Sequence, residues 1–393
     1  MHDPKALRRG LCRILLRRLP HTLISWRFLL PCKGAVKVHK CVFLGAWPQL
    51  PRWLYAGVVL YSLCTWMGFW GWYFILLNLY RWGEQLRDSM GIAHARQVLS
   101  LLRLMVRGVP AQCYYRFQLY RYHEQQWWHF VFDFQLPHWH RVLSGRISPW
   151  SQRLLSDKQL FADYMRSHRI PVVEHYLVCP RGGAFDWREL DGDTFLKPVV
   201  GSRCQGCFAL RQAFEGREAL LIGEGERFSG RNIITEKLRQ LIEKTDYIVQ
   251  PLLSNHPVIA DSLDCEWACT LRVVTASYCG RVVPLLAILE RGSQSFLRRK
   301  MIAVNISNGQ LQCDREQTAL QYLPYWPAVL DSVCRAHRLL DDVKTIGWDV
   351  IITAQGPVLL EGNINWGVAG HQIAQSSPLL DDKLMEVYFA PVD

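Results

Sequence analysis

Acidic side chains are nearly missing from the first quarter of this 393-residue sequence. Met1–Pro110 holds three (Asp3, Glu84, Asp88) against 16 Lys and Arg. The other 283 residues hold 31 acids and 30 bases, so the whole net charge of +12 is concentrated at the N-terminal end. A second absence lies inside that quarter. Trp53–Tyr80 is 28 residues without one Asp, Glu, Lys, Arg or His. The 13 cysteines lack any regular framework, which excludes a disulfide-stapled secreted fold and points to reduced thiols in a cytosolic setting. A small-residue cleavage site is lacking after the apolar run and Ser is scarce near the start, so neither a cleavable leader nor a transit peptide is expected. Internal repeats and low-complexity runs are absent, and only a fifth of the residues are charged while half are hydrophobic. Solenoid arrays and global disorder are therefore excluded, and the length admits two or three domains.

A basic patch can face nucleic acid or anionic lipid, and the neighbouring composition decides between them. As a helix, Trp53–Tyr80 runs about 42 Å, beyond the roughly 30 Å of a bilayer's hydrocarbon core. Its Trp and Tyr residues suit a membrane–water interface. Lys5–Arg18 sets Leu7, Leu11, Ile14 and Leu15 at helical spacing among arginines, the pattern of an interfacial amphipathic helix. Both flanks of the apolar run are positive: 11 Lys and Arg precede it, and Arg81, Arg87, Arg96, Arg103 and Arg107 follow. Positive flanks prefer the cytosol. The expectation is a membrane-associating helical region over 1–110, monotopic on the cytoplasmic face, with no nucleic-acid partner. The rival is a helical pair packed on the rest of the protein. Arg81–Pro110 reads as helix. An aromatic, His-rich connecting region follows over 111–155, and His138 and His140 in it read as structural rather than metal-binding, because no carboxylate or Cys sits at useful spacing.

From Ser156 the pattern changes. Ser156-Asp157 can cap a helix over Lys158–His168. Strands are expected at Val172–Val178, Thr194–Val200, Cys207–Leu210, Tyr247–Leu253, Thr270–Tyr278, Val282–Leu289, Lys300–Ile306, Asp349–Thr353 and Val358–Glu361, with helices at Arg231–Glu243 and Pro327–Leu340. Cys204 and Cys207 with Cys265 and Cys269 do not have the spacing of a zinc ribbon, so packing is the better reading.

Three constellations carry chemistry. Gly347-Trp-Asp349 and Glu361-Gly-Asn363 flank a turn at Gln355-Gly-Pro357, so a hairpin sets Asp349 beside Glu361, with Asn363 on the same face. Converging oxygen ligands of this kind suit Mg²⁺, with Mn²⁺ as the alternative. Lys197 ends an apolar strand just before a glycine loop, Gly201 to Gly206, whose N–H groups can cover phosphates. Arg272 sits in a β-branched strand, where burial without an anionic partner is costly, and Arg291 follows the next strand. A salt bridge is the competing reading for each arginine.

Taken in chain order, these parts resemble the ATP-grasp superfamily over residues 156–370, and within it the sugar-transfer-associated family, which is related to α-L-glutamate ligases. The resemblance implies an α+β ATP-grasp fold: two α/β subdomains, 156–250 and 251–393, clasping the nucleotide, behind a helical, apolar, basic N-terminal region. It implies that Lys158 and Lys197 hold the nucleotide phosphates under the Gly201–Gly206 loop, and that Gln250 and Leu252 border the adenine. Asp349, Glu361 and Asn363 would hold the metal, and Arg272 with Arg291 the transferred phosphoryl group. The implied activity is an ATP- and Mg²⁺-dependent ligase that activates a carboxylate as an acylphosphate for attack by an amine or another nucleophile. The implied context is cell-surface polysaccharide or glycoconjugate synthesis, with sugar- or lipid-linked substrates. A kinase acting on a hydroxyl and a non-catalytic nucleotide-binding scaffold are the alternatives. Substrate contacts are expected within Tyr114–Trp150 and Ser254–Asp264.

Overall fold

The computed structural model describes residues 18–175, 177–183, 192–200, 206–211, 220–223, 225–265, 267–291, 301–313 and 319–389. The helix expected over Lys5–Arg18 lies outside them, apart from its last residue. The chain divides into two compact units, one from residues up to 145 together with 367–389, the other from 146–366.

The first unit is helical. Helix α1 spans Gly34–Gly45, α2 Arg52–Met90, α3 His94–Val106 and α4 Leu136–Leu143. Two π turns, Trp66–Trp70 and Leu79–Gly83, interrupt α2 without breaking it. The helix expected over Arg81–Pro110 is instead split. Gly91 adopts φ +68 and its N–H bonds to Arg87 O, which ends α2 before α3 begins. α3 then packs along α2, where the Gln97 amide donates to Gly83 O and the Trp66 indole to Met105 O. The aromatic region becomes core, with Trp127, Trp128, Phe130, Phe132 and Trp139 buried. Residues 367–389 fold with this unit because the Gln372 side chain brackets both backbone groups of Val131 and Leu380 N–H bonds to His129 O.

The second unit holds two six-stranded antiparallel sheets. The first runs β1(Leu177–Cys179)-β6(Tyr247–Pro251)-β2(Thr194–Pro198)-β3(Phe208–Arg211)-β4(Leu220–Gly223)-β5(Glu226–Ser229). The second runs β10(Leu311–Gln312)-β9(Met301–Val304)-β8(Arg281–Glu290)-β7(Thr270–Tyr278)-β11(Thr345–Thr353)-β12(Gly356–Asn363). Five helices accompany them among the described residues: α5(Pro149–Ser156), α6(Lys158–Ser167), α7(Arg231–Ile242), α8(Pro257–Leu263) and α9(Trp326–Arg338). Ile234, Leu238 and Ile242 of α7 close the first core against Leu196, Phe208 and Val249. Val329, Val333 and Ala336 of α9 close the second against Leu271, Val273, Leu289 and Trp348. This is the α+β architecture the sequence implied, with its N-terminal helical region. Several details differ, among them α5 and β10, which the sequence analysis does not include. The strand expected at Val172–Val178 is a lone parallel bridge, Val172 to Leu359, followed by β1. The β4–β5 hairpin was not foreseen, and neither was α8, which begins with Pro257 and is capped by the His256 ring accepting from Val258 N–H.

Candidate active site

Strand alternation gives the second sheet two unlike faces. Leu271, Val273, Leu289, Trp348 and Leu359 point into the α9 core. The residues between them point the other way, and registry lines up Arg272 of β7, Asp349 of β11 and Glu361 of β12 side by side. Gly347 opposite Asn363 forms the next rung of the same face. A bulge at Asp349/Val350 then shifts the pairing so that Val350 faces Leu359. One added residue on β12 therefore keeps the carboxylates on the polar face while the aliphatic pair stays in the core.

The Gly-Trp-Asp and Glu-Gly-Asn phrases now have a packing reason. A Cβ on Gly347 would come within 2.5 Å of the Trp366 Cβ. A Cβ on Gly362 would meet the Trp348 ring at 2.9 Å and Leu155 at 2.8 Å. Gly362 admits the Trp348 indole behind the hairpin, and Gly347 admits Trp366 on the polar face. Trp348 Nε1 donates to Thr275 Oγ1 at 2.7 Å, and Thr275 Oγ1 lies 2.6 Å from His337 Nδ1. His337 Nε2 is 2.7 Å from Val343 O and must carry the proton, since a carbonyl only accepts. The Thr275 hydroxyl therefore donates to Nδ1, and the chain closes with the imidazole neutral.

On the polar face, Arg272 makes a fork to Asp349, with Nε to Oδ1 at 2.7 Å and Nη2 to Oδ2 at 2.8 Å. Its Nη1 is 3.9 Å from Glu290 Oε1. The Asp349 charge, set against burial, raises the Arg272 pKa above its ordinary value. Asn363 Nδ2 donates to Glu361 Oε1 at 3.1 Å, and Lys158 Nζ stands 4.0 Å from Glu361 Oε2. Lys158 also reaches Val199 O, at the root of the glycine loop, at 3.5 Å. It is the first residue of α6, directly after Asp157, whose carboxylate caps Gln159 and Leu160 N–H. A cation there opposes the helix dipole, so local preference does not explain it. Lys197 is buried beside this group. Burial lowers its pKa, Glu361 works in the opposite direction, and Lys158 adds to the lowering. The half-buried His175 is held at about 4, first by burial and then by the Lys197 charge.

Gly206 takes φ +71 and its carbonyl accepts from the Tyr247 hydroxyl at 3.0 Å, which ties the end of the loop to β6. Gly201 lies outside the described residues. Gln250 pairs with Phe195 across β6 and β2, and Leu252 N–H bonds to Asp193 O. The buried Gln250 Oε1 has no hydrogen-bond partner among the described residues. Arg291 does not join the row as expected. It follows the buried Glu290, and its guanidinium is engaged by Asp264 O and Cys265 Sγ. Glu290 is the residue sequence reasoning passed over. Its signal was a carboxylate ending an otherwise apolar strand, two residues from Ile288, the register partner of Arg272.

The donor set fits a hard divalent ion: Asp349, Glu361 and Asn363 offer oxygens only, on adjacent rungs of one face. No group of three or more His, Cys, Asp or Glu is arranged for a metal among the described residues, so any such site depends on the Asn363 amide. The orphan Gln250 acceptor and the buried Lys197 suit a nucleotide, with a base N–H for one and phosphate for the other.

Residues 314–387 match the family model described as sugar-transfer associated ATP-grasp. No curated protein matches the chain. Among solved structures, an L-amino acid ligase from Bacillus licheniformis is similar at 14% identity and a TM-score of 0.38, covering 61% of this chain and 49% of that one. D-alanine–D-alanine ligase from Bacillus anthracis, complexed with ATP, is similar at 9% identity and a TM-score of 0.37, covering 61% and 70%. N5-carboxyaminoimidazole ribonucleotide synthetase from Thermotoga maritima gives 14% and 0.36, covering 63% and 52%. The chain thus spans about half the length of the first of these. Over residues 314–387 the chain is thus similar to the family that the sequence motifs resemble.

Proposed function

We propose that this protein is an ATP- and Mg²⁺-dependent ligase that converts a carboxylate into an acylphosphate and passes it to an amine or another nucleophile, in the synthesis of a cell-surface polysaccharide or glycoconjugate. The observation that carries this reading is the row Arg272–Asp349–Glu361–Asn363 with Lys158 and Lys197 beside it. Three fixed cations, Arg272, Lys158 and Lys197, converge on one polar face with three carboxylates, Asp349, Glu361 and Glu290, so the face offers cations to a triphosphate and oxygens to a divalent ion that offsets part of the phosphate charge.

Lys197 and Lys158 bind the nucleotide phosphates, and the buried Gln250 Oε1 accepts from the base. Arg272, oriented by its fork to Asp349 and by Glu290, holds the γ-phosphoryl oxygens. Asp349, Glu361 and Asn363 would hold a Mg²⁺, which would neutralise part of the phosphate charge. The substrate carboxylate oxygen attacks the γ-phosphorus and ADP leaves. The nucleophile then attacks the acyl carbon and inorganic phosphate leaves. Positioning and charge complementarity supply the catalysis, and no protein nucleophile is needed.

The test is a product balance in cell extract supplied with ATP. Equal release of ADP and inorganic phosphate, dependent on the extract, supports the ligase. ADP with the phosphoryl group retained on a product identifies a kinase instead, and absence of ADP a scaffold.

A further inference from the structure

The outer face of α2 has no place in this chemistry. Its inward positions, Val58, Trp66, Gly71, Ile75, Asn78 and Gly83, are buried. Between them Trp53, Leu60, Phe69, Trp72, Leu76 and Tyr80 stand out, Tyr80 at 88% exposure and Leu76 at 66%. A run of bare Trp, Tyr, Phe and Leu on one side of a helix needs an occupant.

The helix is long and apolar enough to cross a membrane. Its surroundings oppose a crossing. At 39 residues it extends about 58 Å, nearly twice a hydrocarbon core of about 30 Å. The stretch from Trp66 to Gly83 is also lined by α3, fastened at both ends by the Met105 and Gln97 hydrogen bonds. α3 exposes Arg96 and carries Arg103, which is ion-paired to Glu124. Sinking α2 across a bilayer would drag these charges into hydrocarbon. A second copy of the chain is opposed by charge, since each would bring the exposed Arg52 and Arg81 of the same helix to the contact. An anionic lipid surface meets both features: the aromatics suit the headgroup boundary, and the exposed Arg52 and Arg81 along the helix suit phosphates.

We propose that α2 lies in the plane of an anionic membrane surface, its Trp53–Tyr80 outer face in the headgroup–acyl boundary and its arginines on lipid phosphates, without crossing. This stands independently of the ligase reading.

The test is flotation of the full-length protein with vesicles of phosphatidylcholine, alone or with about one-third phosphatidylserine. Binding is expected to the anionic vesicles and to weaken as salt rises. Leu60→Glu with Leu76→Glu, both well exposed, should lower the partition coefficient about tenfold or more while thermal unfolding stays unchanged. Failure of the wild type to float overturns the proposal, as does equal flotation of the folded double variant. A wild-type dimer that the same variant dissolves, without lipid binding, would assign the face to a second copy. An N-terminal tag shielded inside vesicles while a C-terminal tag is digested would establish a crossing. ADP release without vesicles should be the same in wild type and variant, which keeps this result separate from the active-site assignment.

Discussion

The two units bury polar groups in opposite ways. In the helical unit, His39 Nε2 lies 2.9 Å from Trp128 O, and Gln135 Nε2 lies 3.1 Å from His39 Nδ1. The carbonyl fixes the proton on Nε2, the amide donates to Nδ1, and Gln135 Oε1 accepts from Phe132 N–H. Every group is neutral and the network closes on itself. The site face of the second unit buries charges instead: Asp349, Glu290 and Lys197 are each at most 7% exposed. Its balance comes from opposite charges in a row, and burial presses the Lys197 ammonium toward deprotonation. A closed neutral network serves the fold, whereas a row of buried charges is held at a stability cost and marks a place where an ionic ligand completes it.

The sharpest break between the two is Glu361→Gln. It keeps the side chain's size at a position only partly buried, so stability should hold within about 0.5 kcal/mol while ADP release falls by about 10²–10³ or more. Retained turnover would sink the site. Asp349→Asn should do both kinds of damage. It strands Arg272 without its fork, for a loss of about 3–5 kcal/mol in urea unfolding, and it removes a metal oxygen. Gly362→Ala tests whether the indole behind the hairpin aims the carboxylates. The new methyl meets Trp348 and Leu155 below contact distance, so about 1–3 kcal/mol of stability should go and turnover with it. Lys197→Ala should weaken ATP binding about tenfold, or about 1.4 kcal/mol, yet leave unfolding unchanged or shifted to higher urea, because a buried charge is removed. A loss of stability there would make Lys197 a member of the fold rather than of the site.

Much of this second unit was legible. Alternation located β7 to the residue, and the Asp157 cap located α6. The hairpin argument set Asp349 opposite Glu361, as the register has it. The reason is that short-period signals and tight turns act locally. What escaped depends on tertiary neighbours. Glu290 reads as a strand end until β7 brings Arg272 beside it, and Arg291 reads as a second cation until Asp264 and Cys265 claim it. The bend between α2 and α3 turns on one left-handed glycine inside an otherwise helical pattern. The role of Gly362 is invisible without the Trp348 ring across the hairpin.

A further effect, common to both units, comes from acid. Burial holds His39 and His337 each at about 4, against 6.5 for a free imidazole. The unfolded chain therefore binds these protons more readily than the folded one between those values. Stability is fully present above about pH 6.5 and declines as the pH falls toward 4, by up to about 1.4 kcal/mol per pH unit for each histidine. His337→Gln keeps a donor and an acceptor near Val343 O and Thr275 without the titration. It should flatten the fall in urea midpoint between pH 7 and 5, and His39→Gln should do the same for the helical unit. The two differ in one respect: His337 sits behind the Asp349 hairpin through Thr275 and Trp348, so acid should loosen the site as well as the fold. Turnover of the wild type should then drop over this range more steeply than that of His337→Gln, while His39→Gln follows the wild type. Parallel activity profiles in all three proteins would show that the chain behind the hairpin only supports the fold.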